Sequence, residues 1–267
     1  MKAFSIAAIL AAVLLGPLSF TSLARAEIQA TPVVYSTGET QMQGYLAYDA
    51  AKTGKRPGIL VVHEWWGHND YARGRARMLA EMGYVALAVD MYGDGRQAQH
   101  PEEAGQFAKA VMGAADTARE RFQAALDELK AHPATDPERI AAIGYCFGGG
   151  VVLHMARAGL DLKGVVSFHG SLAAATPVSS GTIKGRILVC HGADDPMVSQ
   201  EELDAFRNEM TEADVDYTLI IYPGATHSFT NPQADQIAEK FKLPVAYNAE
   251  ADQRSWAAMT QFFQEIF

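Results

Sequence analysis

The segment from residue 140 to residue 150 constrains the fold of this chain more than any other. It begins with apolar residues typical of a buried strand, passes through Gly-x-Cys-x-Gly centred on Cys146, and enters a helix-compatible run, residues 151–156. This order of strand, sharp turn and helix is that of a nucleophile elbow, with cysteine where serine is usual. The glycines permit a tight turn, and the helix N-terminus favours a thiolate. A glycine-rich turn carrying an inert, buried cysteine is the alternative interpretation.

Two further polar residues complete a candidate catalytic set. Asp195 and His227 each follow a predicted strand, in the chain order nucleophile, acid, histidine. We predict that Asp195 orients the histidine because of its spacing to Val198, and the adjacent Asp194 remains open as a turn residue or as the acid. The set predicts attack on a carbonyl by Cys146, an acyl-thioester intermediate, and His227 as the base.

The oxyanion hole is expected from two backbone N–H groups, those of Phe147 and Trp65. Glu64 is unusual, because a carboxylate at the end of a buried strand is costly without a partner. The alternative interpretation of Glu64 is a surface acid paired with a nearby arginine.

The other histidines have weaker claims to a role. His63, His169 and His191 end predicted strands and can line the site without taking part in chemistry. No pair has the spacing of metal ligands, so we expect no metal and no cofactor.

The N-terminus has the pattern of a signal peptide. Lys2 is followed by an apolar stretch, residues 6–18, and Ala24-Arg25-Ala26 fits a small-x-small cleavage site. We therefore predict a signal peptide over residues 1–26 and a periplasmic or secreted mature protein beginning near Glu27. An uncleaved anchor is the alternative, but the apolar run is short and interrupted.

Charge and length narrow the class of protein further. The formal net charge is −9, and the loss of Lys2 and Arg25 leaves −11, which argues against nucleic acid or anionic lipid as a partner. Residues 27–267 suit one α/β domain, and we expect a monomer that does not associate with membrane after cleavage. We do not expect a disulfide bond between Cys146 and Cys190, because one strand of the predicted sheet lies between the two residues.

The hydrophobic pattern predicts alternating strands and helices. Continuous apolar strands separated by helices indicate a mostly parallel sheet covered on both faces, with the active site at the carboxyl ends of the strands. We predict a hairpin around Gly38 and a helical region, residues 101–132, broken near Gly113. The other predicted strands are 58–63, 84–89, 164–168, 186–190 and 217–222, and the other predicted helices are 69–82, 201–210 and 252–267.

Together these motifs resemble the dienelactone hydrolase family, a cysteine-nucleophile branch of the α/β-hydrolase fold. The resemblance extends from about Tyr45 to the end of the chain and rests on Val62-His63-Glu64-Trp65-Trp66-Gly67, Val89-Asp90-Met91-Tyr92, Gly144-Tyr145-Cys146-Phe147-Gly148-Gly149, Gly192-Ala193-Asp194-Asp195-Pro196 and His227-Ser228-Phe229. It implies a triad of Cys146, Asp195 and His227. It also implies that Glu64 contacts the resting thiol and helps to deprotonate it when substrate arrives, which protects the sulfur from oxidation.

The resemblance gives weaker guidance on the substrate. Family members that act on dienelactone hold its carboxylate with two arginines, and here Arg96 is expected to supply the first. Asn231 occupies the region of the second and lacks the charged fork of arginine. Trp66 and Tyr145 are expected to line the substrate pocket.

These observations predict an exported hydrolase of small carboxylic esters or lactones. Two alternatives remain open: a non-catalytic binding protein for small molecules on the same fold, and a thioesterase or peptidase that uses the same triad.

Overall fold

The computed structural model describes residues 26–174 and 176–267. The predicted signal peptide falls almost entirely outside the described residues. No described helix is long and apolar enough to cross a membrane.

The described chain begins with a β-hairpin. Strands β1 (Ile28–Thr37) and β2 (Thr40–Asp49) pair antiparallel, with Tyr35 opposite Met42. Gly38 in the turn has φ +55°, a conformation that favours glycine. The predicted hairpin around Gly38 is confirmed.

The hairpin joins a larger sheet of mostly parallel strands. The sheet order is β1-β2-β4-β3-β5-β6-β7-β8, with β2 antiparallel to β4 and every pair from β4 to β8 parallel. The remaining strands are β3 (Arg56–Val62), β4 (Val85–Val89), β5 (Thr135–Tyr145), β6 (Gly164–Phe168), β7 (Arg186–Gly192) and β8 (Tyr217–Tyr222).

Seven helices lie among the described residues: α1 (Asp70–Glu81), α2 (Pro101–Met112), α3 (Ala115–Ala131), α4 (Phe147–Arg157), α5 (Gln200–Glu212), α6 (Ala234–Phe241) and α7 (Ala249–Ile266). Asn69 caps α1 by accepting the N–H of Ala72, and the chain breaks between α2 and α3 at Gly113, both as predicted. Helix α6 was not predicted. Helix α7 begins three residues before its predicted start because Asn248 caps it.

Both faces of the sheet are covered, which confirms the predicted fold class. Along β3, Ile59 and Val61 belong to an apolar cluster with Leu79 of α1, whereas Leu60 and Val62 belong to the cluster on the other face with α3 and α4. This alternation follows from the two-residue period of a strand. The parallel strands end at one edge of the sheet, where the loops carrying the predicted site residues begin.

Candidate active site

Cys146 stands between β5 and α4 in a strained backbone conformation. Its φ is +52° and its ψ is −114°, which non-glycine residues rarely adopt. The Cys146 N–H donates to the carbonyl of Phe168 at 3.0 Å and to Nδ1 of His169 at 3.1 Å. These hydrogen bonds hold the strained residue, and the side chain remains partly exposed.

The glycines around Cys146 are required by close packing. A Cβ on Gly144 would lie 2.0 Å from the carbonyl oxygen of Gly148, and a Cβ on Gly148 would lie 2.3 Å from the carbonyl oxygen of Val62. Neither glycine has a positive φ. The motif therefore lets α4 approach β3 and β5, while the strain of the turn falls on Cys146 itself.

His227 and Asp195 lie in contact beside the elbow. His227 Nδ1 is 2.9 Å from Asp195 Oδ2, and Asp195 Oδ1 accepts the N–H of Met197 at 2.8 Å. Asp194 is exposed, so the geometry favours Asp195 as the orienting acid. Nε2 of His227 is buried without a hydrogen-bond partner among the described residues, and His227 lines the same small cavity as Cys146.

The charge state of His227 follows from its neighbours. Burial lowers the pKa of the imidazole, but negative charge on Cys146 and the carboxylate of Asp195 outweigh burial and raise the pKa to about 10. This arrangement favours the imidazolium form of His227.

Glu64 is buried and is held by two hydrogen bonds. Oε1 accepts from the Ser228 hydroxyl at 2.9 Å, and Oε2 accepts from Nδ2 of Asn231 at 2.6 Å. Its side chain is 2% exposed, which excludes the alternative of a surface acid paired with an arginine. Burial raises the pKa of Glu64, although the two hydrogen bonds act in the opposite direction. The expected contact between Glu64 and the resting thiol is absent from its hydrogen bonds.

The two predicted oxyanion-hole amides lie at the loop and helix beside the thiol. Phe147 is the first residue of α4, so its N–H has no partner within the helix. The Glu64 carbonyl, which shares a peptide group with the Trp65 N–H, accepts the N–H of Gly67 at 3.1 Å, and this bond holds that group in place. Trp65 and Cys146 line the same cavity.

Two neighbouring cavities lie at this edge of the sheet. The thiol cavity, with a volume of about 60 Å³, is mostly apolar, and Met197, Leu243 and Val245 line it together with Cys146. The adjoining cleft, of about 320 Å³, shares Trp66 and Ile237 with the thiol cavity. The cleft is rich in amide side chains and contains one lysine: Asn69, Gln97, Gln99, Asn231, Gln233, Gln236 and Lys240.

The structure places three predicted substrate residues elsewhere or in other contacts. Tyr145 is fully buried and stacks on Phe168 at 4.8 Å, away from the thiol cavity, so the expectation that Tyr145 lines the substrate pocket is wrong. The alternation of β5 turns this side chain toward α1 and α7. The guanidinium of Arg96 donates hydrogen bonds to the carbonyls of Tyr92 and Gly93. Arg96 is not among the residues that line the thiol cavity. Asn231 donates to Glu64, and Trp66 lines both cavities.

Several residues of the site were not identified from the sequence. Ser228 could have been suspected because it follows His227, and the apolar spacing of α6 could have indicated Ile237. Buried Arg75 donates to the Thr230 carbonyl in the loop after His227 and pairs with the partly buried Asp252 at 2.6 Å, and no local signal indicates this pair. No group of three or more potential metal ligands occurs among residues 26–174 and 176–267.

Comparison with known proteins gives consistent results. The model of the dienelactone hydrolase family matches residues 42–267. A putative carboxymethylenebutenolidase of Synechocystis is 29% identical over 254 residues, covering 89% of this chain and 97% of that protein. A crystal structure of a dienelactone hydrolase-like promiscuous phosphotriesterase from metagenomic libraries is 41% identical, with a TM-score of 0.83 and coverage of 91% and 100% of the two chains. A putative dienelactone hydrolase from Klebsiella pneumoniae, 22% identical with a TM-score of 0.74 and coverage of 89% and 99%, shares the fold.

Proposed function

The chain belongs to the dienelactone hydrolase family of ester-bond hydrolases, and we propose that it cleaves a small carboxylic ester or lactone through an acyl intermediate on Cys146. One observation carries this proposal: His227 is held by Asp195 at 2.9 Å and shares a 60 Å³ cavity with the Cys146 thiol. This geometry supports roles as nucleophile, base and orienting acid for three residues that come from separate loops.

The proposed reaction has two steps. The Cys146 thiolate attacks the ester carbonyl, and the N–H groups of Phe147 and Trp65 stabilise the oxyanion. As the C–O bond breaks, the His227 imidazolium gives its proton to the leaving alkoxide and an acyl-thioester remains. His227 then takes a proton from water, the hydroxide displaces the sulfur, and the carboxylic acid leaves.

The cavities indicate the shape of the substrate. The apolar thiol cavity has room for only a few water molecules, so it suits a short acyl group. The polar remainder of the substrate then lies in the amide-lined cleft across Trp66 and Ile237, where Lys240 supplies a positive charge. We expect short-chain esters of polar alcohols to be better substrates than long-chain esters.

The mechanism is tested with 4-nitrophenyl acetate and the variants Cys146→Ala and Cys146→Ser. We expect Cys146→Ala to lose at least about a thousandfold in rate, because the nucleophile is gone. Acid quenching of the wild type followed by mass spectrometry should reveal an acetyl group on Cys146. Equal rates for wild type and Cys146→Ala, without an adduct, would leave the alternative of a binding protein. Faster turnover of an acyl thioester or a peptide amide than of any ester would favour thioesterase or peptidase function.

A second candidate activity is hydrolysis of phosphotriesters. It is favoured by the 41% identity to the promiscuous phosphotriesterase. The same thiolate would attack phosphorus and expel an aryloxide, and water deprotonated by His227 would then cleave the S–P bond, releasing the phosphodiester and restoring the thiolate. Paraoxon hydrolysis by wild type, with none by Cys146→Ala, would support this activity, and no hydrolysis by either would exclude it.

Export and a monomeric state belong to the same proposal. The sequence of residues 1–26 supports export, and strand β1 begins at Ile28, just beyond the predicted cleavage site. Expression in a bacterial host, fractionation and N-terminal sequencing should find periplasmic protein beginning at Glu27. Cytoplasmic protein that retains Met1 would contradict export, and a dimer mass by light scattering would contradict the monomer.

A further inference from the structure

His169, directly after β6, lies between the nucleophile and the loop that carries His227. Its side chain is fully buried and its backbone has φ +41°. Nδ1 accepts the N–H of Cys146 at 3.1 Å and shares this donor with the carbonyl of Phe168 at 3.0 Å. Nε2 lies 2.7 Å from the hydroxyl of Thr230, three residues beyond His227. The ring therefore spans from the nucleophile backbone to the histidine loop.

These contacts define the protonation of His169. Because the Cys146 N–H is a donor, Nδ1 must be unprotonated, and the neutral ring carries its proton on Nε2 and donates it to Thr230. Burial lowers the pKa of His169 well below its usual range, and positive charge on His227 acts in the same direction. The two rings lie 5.3 Å apart. His169 thus remains neutral while His227 gains and loses protons.

Thr230 is itself anchored on the opposite side. Its hydroxyl lies 2.7 Å from the hydroxyl of Tyr71 in α1, and its carbonyl accepts from Arg75 at 2.6 Å. Arg75 in turn pairs with Asp252 of α7 at 2.6 Å. The loop after His227 is therefore held by α1 and, through Arg75, by α7, and His169 links this loop to the elbow.

We propose that His169 is a positioning residue that sets the separation of the Cys146 sulfur and His227 by linking the backbone of residue 146 to Thr230. This inference rests on the proposed function and deepens it. His169 does not line the thiol cavity, so it acts through its two neighbours rather than on the substrate.

The two ring nitrogens can be tested separately. In His169→Asn, the amide oxygen takes the place of Nδ1, and asparagine tolerates a positive φ. In His169→Gln, the amide nitrogen reaches toward the place of Nε2, and His169→Leu retains neither group. Two measurements are made: the rate of alkylation by iodoacetamide against pH, which requires no substrate, and kcat and KM for 4-nitrophenyl acetate.

For His169→Leu we expect the midpoint of the alkylation curve to rise by about one pH unit, because a displaced imidazole stabilises the thiolate less. We expect kcat to fall about tenfold or more while KM changes less than about twofold. His169→Asn keeps only the bond to residue 146 and His169→Gln only the bond to Thr230, so each should restore no more than part of either value. If His169→Leu kept the alkylation midpoint and the kcat of the wild type, the imidazole would only fill space, and the proposal would be overturned.

Thr230 provides a second test that leaves His169 in place. Thr230→Val removes the acceptor at nearly constant volume, and Thr230→Ser keeps it. We expect Thr230→Val to shift the alkylation midpoint as His169→Leu does, and Thr230→Ser to match wild type. A lower melting temperature in Thr230→Val with an unchanged alkylation curve would overturn the proposal. If the wild type hydrolyses no ester, the proposed function fails, but the alkylation curves still decide the role of His169.

Discussion

The Glu64 carboxylate is buried and tightly constrained by its hydrogen bonds. Both of its oxygens are occupied, by Ser228 and by Asn231, in a site that is 2% exposed. The family resemblance assigns this glutamate a role in deprotonating the thiol when substrate binds. In this arrangement each oxygen already accepts one hydrogen bond, so a proton from Cys146 would go to an oxygen that also accepts from Ser228 or Asn231.

Glu64→Gln tests this role at nearly constant shape. If Glu64 helps to form the thiolate, we expect kcat to fall about tenfold or more and the substrate-induced rise in thiolate ultraviolet absorbance to disappear. Asn231→Asp is the companion variant. It keeps the Glu64 side chain but replaces the amide that donates at 2.6 Å with a second carboxylate, so the two acids repel each other or share a proton. Full turnover and unchanged absorbance in Glu64→Gln would exclude the role.

Helix α4 depends on its close approach to the sheet. Gly148 lies against the carbonyl oxygen of Val62 in β3, so the helix that follows the nucleophile has no room for a side chain there. Tight packing of this kind transmits strain, because protein interiors deform little. The position of the Phe147 N–H, a proposed oxyanion donor, is set by the same contact.

Gly148→Ala should therefore destabilise the protein and misplace the elbow. We expect a loss of about 1–3 kcal/mol in the free energy of unfolding, from overpacking, together with a large fall in kcat. Gly74→Ala in α1 is the matched control, because its Cβ would meet nothing within 4 Å. This control should stabilise the protein by about 0.5–1 kcal/mol through helix propensity and leave kcat unchanged. Urea unfolding of both variants makes the comparison, and equal stabilities would contradict the packing argument.

At the scale of the whole molecule, the fold buries several histidines in their neutral form. Burial lowers the pKa of His63 and His169, and it lowers the pKa of His68 to about 3. The unfolded chain binds these protons near pH 6.5, whereas the native state does not. Stability from these groups is therefore fully present above about pH 6.5 and is lost as the pH falls toward 3. The raised pKa of Glu64 acts in the opposite direction and offsets part of this loss.

His68 offers the clearest measurement of this dependence. We expect wild-type unfolding free energy to fall between pH 6.5 and pH 4.5, with His68 contributing up to about 1.4 kcal/mol per pH unit. His68→Leu should flatten the curve by that amount, and His100→Asn, at an exposed helix cap, is the control. If the unfolding free energy of His68→Leu changed with pH as steeply as that of the wild type, His68 would have the same pKa in the folded and unfolded states.

Much of the fold was predictable because its signals are local. The apolar runs fixed the strands, Asn69 and Gly113 fixed helix ends, and the spacing around Cys146 indicated the elbow. The face of the sheet on which the Tyr145 side chain lies could also have been predicted, because successive side chains along a strand point to opposite faces. The missed helix α6 is short and follows the polar loop after His227, where a brief apolar pattern is a weak signal.

The sequence by itself determined the order of nucleophile, acid and histidine, and the alternation that builds a covered parallel sheet, because both depend on neighbours along the chain. The tertiary structure decided the partners of the buried polar groups. Glu64 meets Asn231, 167 positions away, and His169 meets Thr230, 61 positions away. Such contacts arise only when the order of strands in the sheet brings distant loops to one edge, and no spacing along the chain encodes which side chains then touch.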